Sequence, residues 1–317
     1  MSSFDFTQPL AFGPIFMERV WGGRRLETLY GKSLPPGMVV GESWEIVDRE
    51  EAQSIVRSGP WHGKKLHDLW MQHRAEIFGA DLPETARFPL LLKLLDTHDV
   101  LSLQVHPPAE VAQALGGEPK TEAWYVAHAE PGAEIMVGLL PGTTRSKFEE
   151  AIPAGTAADL VSRFPAHEGD AFFIPSGRLH AIGGGNVIVE IMQNSDTTYR
   201  VSDWNRVGLD GQPRPLQIAN SLRSIHFDDL APARQVPAGE TLVRCEFFQI
   251  EKWELAAARA ALSDARFAIF TVLAGRVECA GAAFRSGEFF LVPAAAGTTQ
   301  VTPLEAGTQV LRATIPG

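Results

Sequence analysis

GDAFFIPSGRLHAIGGGNVIVEIMQNSDTTYRVSDW, residues 169–204, decides the fold class. It divides into runs rich in β-branched and aromatic residues, DAFFIP, NVIVEIM and TTYRVSDW, separated by Gly, Ser, Asn and Asp. Such runs between turn-forming residues predict strands rather than helices. TEAWYVAHA and AEIMVGL, just upstream, carry the same signal. GDAFFIP (169–175) also has a counterpart, GEFFLVP (287–293), with Gly, an acid, an apolar run and Pro in the same order. Equivalent barrel strands entered by a turn have this form. Five residues after the proline the first copy has His180 and the second Thr298, so if the copies correspond only the first keeps a candidate metal ligand.

Working outward, FPLLLKLLD (88–96) predicts a mostly buried strand and VLSLQVHP (100–107) a strand stopped by Pro107 and Pro108. PAEVAQAL has the form of a helix entered through proline, and KKLHDLWMQHR (64–74) that of an amphipathic helix. RSKFEEAI and TAADLVSRF, within 145–164, predict a helical interruption between strands. FDDLAPARQVPAGE (227–240) lacks periodicity and predicts a linker.

Composition narrows the function classes. With 317 residues, 45% of them hydrophobic and 21% charged, the chain can bury a large core and belongs with folded soluble proteins. A net charge of −10 argues against a nucleic-acid partner, and any anion site must be a local cluster of Arg and Lys. The beginning of the chain has no basic segment followed by an apolar run, and no apolar stretch approaches the roughly 18 residues of a membrane span. A cytoplasmic location without membrane association is therefore expected. Cys245 and Cys279 form no CxxC pair, so a metal would need His, carboxylate or amide ligands.

The chemistry-bearing residues fall in a few elements. Alternation in LSLQVHP puts Leu101, Leu103 and Val105 on one face and Ser102, Gln104 and His106 on the other. That polar face fits either a solvent-exposed edge or an inward pair of metal ligands. Lys120 and Glu122 of KTEAW, two apart at a strand start, fit a shared cavity or an ordinary surface pair. His180 lies beyond a turn, with Gly183, Gly184 and Gly185 permitting close backbone approach; alone it fits a structural histidine equally well. Asp196 and Arg200, four apart, share one face of an extended segment. An inward Arg200 needs an anionic substrate, or else a salt bridge to Asp196 or Asp203. Trp21 and Trp44, next to glycines, are expected in the core or lining a cavity, and His128 and His167 at the surface.

Taken together, WGG, GESWEI, PLLLKLLD, LSLQVHP, KTEAW, GDAFFIPSGRLHAIGGG and NSDTTYRVSDWNR resemble the type I mannose-6-phosphate isomerases, in their short bacterial form, from about residue 10 to 225. The resemblance implies one zinc ion per chain, held by Gln104, His106, Glu122 and His180. It further implies an active-site Arg200 with Asp196 before it, and a Lys120 associated with substrate binding or proton transfer. Arg178 and Ser202 depart from the family's usual residues, and a cation at 178 near the mouth would assist phosphate binding or alter substrate preference.

The expected fold is mainly β: a cupin jelly-roll barrel with helical additions, followed by a smaller, degenerate cupin-like barrel. The expected division is a catalytic part at 1–230, a linker at 231–240 and a C-terminal part without metal ligands at 241–317. The expected activity is aldose–ketose isomerisation of mannose 6-phosphate and fructose 6-phosphate through an enediol, with a sugar phosphate as partner and no obligate protein partner. Two other readings stand beside it. One is a non-catalytic, metal-binding cupin that senses a sugar or sugar phosphate. The other is an iron cupin oxygenase, whose usual HxH element here has Gln104 in place of its first histidine.

Overall fold

The computed structural model describes residues 5–316. Its first eleven strands are β1 (Ile15–Gly23), β2 (Val40–Ile46), β3 (Leu90–Thr97), β4 (Leu103–Val105), β5 (Glu122–Ala129), β6 (Glu134–Leu139), β7 (Val161–Pro165), β8 (Ala171–Ile174), β9 (His180–Ile182), β10 (Asn186–Gln193) and β11 (Tyr199–Ser202). They form a six-stranded sheet in the order β1-β2-β3-β10-β5-β8, facing a five-stranded sheet in the order β11-β4-β9-β6-β7. The remaining strands are β12 (Thr241–Arg244), β13 (Gln249–Glu254), β14 (Arg259–Ala260), β15 (Ala268–Ala274), β16 (Arg276–Cys279), β17 (Ala282–Arg285), β18 (Phe289–Val292), β19 (Gln300–Pro303) and β20 (Gln309–Thr314). These make a second pair of sheets, β12-β13-β20-β15-β18 and β14-β19-β16-β17. Every pairing within the sheets is antiparallel.

The core explains why β3 and β10 read as apolar runs, each interrupted by one charge, Lys93 or Glu190. Leu90, Leu92 and Leu94 of β3, with Val187, Val189 and Ile191 of β10, pack in one hydrophobic layer with Ile250, Ile269 and Leu311 of the second pair of sheets. The opposite face of β3 turns Lys93 and Leu95 into a cavity between the first two sheets. Both faces are covered, so strict alternation gives way to a mostly apolar run, broken where Lys93 and Glu190 face the cavity. A separate core, with Phe270, Phe290, Val277 and Val301, fills the second pair of sheets.

The helical expectations hold in part. Leu66–Gln72 and Arg145–Ala154 are helices, and Ala109–Ala112 is a helix entered through Pro108. TAADLVSRF is not helical throughout: after a single 3-10 turn at Ala157–Leu160, Val161–Pro165 is strand β7, paired with the edge of β6. Gly155 ends the preceding helix in the left-handed region (φ 73°), and the chain then takes the open sheet edge. VLSLQVHP contributes only Leu103–Val105 to a strand, so Leu101 falls outside the alternation and lines the cavity.

The repeat inferred from GDAFFIP and GEFFLVP occupies equivalent edges, since β8 flanks β5 as β18 flanks β15. Register corrects the detailed correspondence. His180 pairs with Gln104 and Val137, while Val301 pairs with Arg259 and Cys279, so Val301 rather than Thr298 is the counterpart of His180. Likewise Glu122 stands opposite Ile174 as Ala268 stands opposite Val292. The positions equivalent to Gln104, His106, Glu122 and His180 are thus Arg259, Ala261, Ala268 and Val301, and the last three are packed in the second core.

Candidate metal centre and substrate cavity

Gln104 and His180 meet as cross-strand partners on β4 and β9, and partners in a ladder project to the same side. His106 follows β4, and Glu122 opens β5 in the facing sheet. The turn between β8 and β9 depends on Gly177, whose φ is 88° and whose N–H donates to the His106 carbonyl at 2.8 Å. A Cβ there would lie 2.6 Å from the His226 ring. At Gly183 a Cβ would meet the Glu134 carbonyl at 2.6 Å, so that glycine does permit a close backbone approach.

His106 Nε2 lies 3.4 Å from Glu122 Oε2, His180 Nε2 lies 3.6 Å from Glu122 Oε1, and Gln104 Nε2 lies 3.3 Å from His180 Nε2. One ligand atom from each of His106, Glu122 and His180 falls within 4.8 Å of the others, and all three residues are buried. Each imidazole is oriented from behind: His106 Nδ1 donates to the Thr197 carbonyl and His180 Nδ1 to the Arg178 carbonyl, both at 2.8 Å. That leaves Nε2 as the lone-pair nitrogen of each ring, facing Gln104 Nε2 in His180 and without a partner in His106. His106 Nε2 and Glu122 Oε1 are buried without a hydrogen-bond partner, which is costly unless something else occupies their lone pairs. The donor set of two imidazoles and a carboxylate suits a divalent metal such as zinc. Gln104 Oε1 accepts from Ser102 Oγ at 2.9 Å, and turning the amide over brings this oxygen toward the same point.

The protonation states match. Burial, reinforced for His180 by the neighbouring His106, keeps both imidazoles below the usual range, His180 at about 3. Burial alone would raise Glu122, but Lys120 and the two imidazoles outweigh it and hold the carboxyl well below the usual range. Lys120 Nζ sits 2.8 Å from Glu122 Oε2 and is kept protonated: burial disfavours its charge, but Glu122 and Glu190 more than compensate. Neutral imidazoles and an ionised carboxylate are the states metal binding requires.

Beside this cluster lies a cavity of about 560 Å³, lined by Gln104, Lys120, Asp196 and Arg200. Its floor carries a row of charges that sequence reasoning missed. Glu190 of β10, Lys93 of β3, Glu42 of β2 and Arg19 of β1 each come from the next strand of the six-stranded sheet, joined at 3.7, 3.3 and 3.0 Å. Burial pushes the Glu190 carboxyl up to about 7, whereas Glu42, despite its burial, is held low by Lys93 and Arg19. The signal was present: Lys93 is the lone cation of FPLLLKLLD before its terminal Asp, and Glu190 the lone acid of NVIVEIM.

Arg200 lacks the salt bridge that an inward arginine needs. Asp203 is taken by Arg206 and Arg214, and Asp196, 44% exposed, contacts Lys93 at 4.0 Å. Among the described residues the Arg200 guanidinium has no ion pair, and its buried Nε has no hydrogen-bond partner. Arg178, expected near the mouth as an extra cation, is not part of the cavity lining. Its guanidinium makes two 2.7 Å bonds to Asp229 and a third to the Phe173 carbonyl, which ties the segment after residue 224 to β8. Trp21 lines the cavity, and Trp44 is fully buried with its indole N–H on Glu42. His167 is exposed and His128 half-buried.

Comparison with known proteins gives consistent matches. A family model described as phosphomannose isomerase type I, catalytic domain, matches residues 10–150. The chain is 36% identical over 301 residues to the probable mannose-6-phosphate isomerase GmuF of Bacillus subtilis, covering 91% of this chain and 94% of that protein. It is also 36% identical over 299 residues to a mannose-6-phosphate isomerase of Streptococcus mutans, covering 90% and 92%. The crystal structure of mannose 6-phosphate isomerase from Bacillus subtilis superposes with a TM-score of 0.86 at 31% identity, covering 97% of this chain and 99% of that one. A mannose 6-phosphate isomerase bound with zinc and yttrium shares the fold at a TM-score of 0.74 and 16% identity. No helix among the described residues is long and apolar enough to cross a membrane.

Proposed function

Because the chain belongs to the type I mannose-6-phosphate isomerase family, we propose that it interconverts mannose 6-phosphate and fructose 6-phosphate, with one zinc ion held by Gln104, His106, Glu122 and His180. The observation that carries the reading is the convergence of the buried, unpartnered His106 Nε2 and Glu122 Oε1 beside a cavity into which an unpaired Arg200 projects.

Aldose–ketose isomerisation moves a proton between C1 and C2 through an enediol. Zinc bound at these ligands supplies Lewis acidity to the substrate oxygens. Arg200 binds anionic oxygen, either of the phosphate or of the enediolate, by charge-assisted hydrogen bonds. Lys120, kept protonated by Glu122, is a proton donor to a substrate oxygen. Asp196 and Glu190 are the cavity carboxylates available to carry the carbon-bound proton. The wall of Glu42, Lys93 and Glu190 offers alternating acceptors and donors to sugar hydroxyls.

The retention of Lys120, Asp196 and Arg200 around one cavity favours catalysis over the sensor reading. A catalytic part at 1–230, a linker at 231–240, a C-terminal part at 241–317 without metal ligands and a cytoplasmic location belong to the same proposal. So does the absence of an obligate protein partner. Incubating the zinc-loaded protein with mannose 6-phosphate tests the activity: fructose 6-phosphate must appear, and a loaded protein that forms none refutes the reading.

A further inference from the structure

The extended segment from residue 195 to 200 carries two sets of side chains by alternation. Asp196, Thr198 and Arg200 line the cavity, whereas Ser195, Thr197 and Tyr199 do not. The odd-numbered set turns instead to residues 115–118, at the start of the loop that leads to Lys120 and Glu122. Tyr199 Oη donates to the Leu115 carbonyl at 3.0 Å, and Thr197 Oγ1 accepts the Glu118 N–H at 3.0 Å. Ser195 Oγ donates to the Glu118 carbonyl at 3.2 Å and accepts the Thr197 N–H at 3.3 Å, which closes the set. The two segments lie so close that residue 117 has no room for a side chain. A Cβ on Gly117 would come within 2.6 Å of Thr197 Cγ2 and 2.7 Å of Tyr199 Oη.

The same pairing is gripped from outside. Arg49 and Arg87 each donate both to the Glu118 carboxylate and to the Asn194 carbonyl, so each guanidinium spans the two segments. Asn194 Nδ2 donates in turn to the Asp48 and Phe88 carbonyls, both at 2.7 Å, which fixes the start of the segment to the body of the first sheet. These contacts meet the metal cluster at one residue. The Thr197 carbonyl accepts from His106 Nδ1 at 2.8 Å, while its hydroxyl holds the loop that delivers Glu122. One side chain and its own backbone thus tie together two ligands that come from different sheets.

We propose that Ser195, Thr197 and Tyr199 form a latch that sets the spacing between His106 and Glu122, with Thr197 as the positioning residue of the metal centre. This rests on the zinc assignment in the isomerase reading above and adds to it residues that never reach the cavity.

The test measures zinc affinity, by competition with a chromogenic chelator, and melting temperature for the wild type, Thr197→Val, Thr197→Ser and Tyr199→Phe. Contacts that orient metal ligands from behind are worth about 10- to 100-fold in metal affinity. Thr197→Val keeps the branched shape and loses the oxygen that accepts the Glu118 N–H, so it should weaken zinc binding by that factor. Thr197→Ser, which keeps the oxygen, should stay near the wild type, and Tyr199→Phe should weaken zinc in the same direction. A lowered melting temperature with wild-type zinc affinity in Thr197→Val and Tyr199→Phe would make the latch a matter of stability alone and overturn the proposal. Equal losses in Thr197→Val and Thr197→Ser would also overturn it, because the hydroxyl would then not be the cause. If Thr197→Val fails to fold, Tyr199→Phe decides: undiminished zinc affinity overturns the latch. Thr197-dependent zinc binding in a protein that does not turn over mannose 6-phosphate would support the latch while refuting the isomerase reading. Turnover with zinc affinity independent of Thr197 and Tyr199 would do the reverse.

Discussion

Arg200 stands directly across from Gln104 in the β4–β11 ladder, so a guanidinium without a carboxylate rises beside the amide proposed as a metal ligand. Opposed residues in such a ladder lie about 4.5–5.5 Å apart at Cα, and both side chains line the same cavity. Arg200→Ala should lower kcat/KM by about 10²- to 10³-fold, the scale of losing a preorganised donor to a developing anion. Zinc content and melting temperature should hold. Near-wild-type turnover would show that Arg200 does not act on the substrate.

Lys93 is the keystone of the charge row, buried between Glu42 at 3.3 Å and Glu190 at 3.7 Å. It also lies over the Trp44 ring at 4.7 Å. Removing one partner of a buried ion pair leaves an uncompensated charge, which costs about 3–5 kcal/mol. Lys93→Met should lose stability on that scale in denaturant unfolding. The double variant Lys93→Met, Glu42→Gln should regain part of it, whereas a loss below about 1 kcal/mol for the single variant would mean that water already solvates these carboxylates.

The metal-free protein should be acid-sensitive through its imidazoles. His106 and His180 are held neutral below their ordinary pKa in the folded state, so the unfolded chain binds protons that the folded chain does not. Stability is then fully present above about pH 6.5. It is lost progressively as pH falls toward the depressed folded values, near 3 for His180. Thermal melts of the chelated protein across this window should show the decline, and His180→Ala should flatten it. An unchanged slope in that variant would assign the sensitivity to other groups.

The second pair of sheets should matter for stability and not for chemistry. Phe290 is buried in a stack with Phe284 at 4.0 Å and Phe270 at 5.2 Å between ring centres. Phe290→Ala should cost about 3–5 kcal/mol while leaving kcat/KM near the wild-type value at temperatures where the variant is folded. A selective loss of turnover in the folded variant would link this core to the cavity.

Much of the arrangement was legible in the sequence, for identifiable reasons. The strand character of DAFFIP and NVIVEIM follows from residue shape and turn signals alone. The proximity of Gln104, His106, Glu122 and His180 required the combined motifs, because each element read alone fits a surface strand as well. Counting residues after the proline misaligned the two copies, since Val301 lies eight residues beyond Pro293 and His180 only five beyond Pro175. Sheet register, a long-range property, restores the match. Lys93 and Glu190 escaped notice because each sits inside an apolar run, and only their direct pairing across β3 and β10 brings the charges together. Arg178 was misread because its partner, Asp229, is 51 residues away.

The most direct test of the central claim measures zinc per chain together with fructose 6-phosphate formed from mannose 6-phosphate, before chelation, after it, and after zinc is restored. The account predicts one zinc per chain, activity that disappears with the chelator and returns with the metal, and neither zinc nor activity in His180→Ala. Full turnover by the chelated, metal-free protein would contradict it.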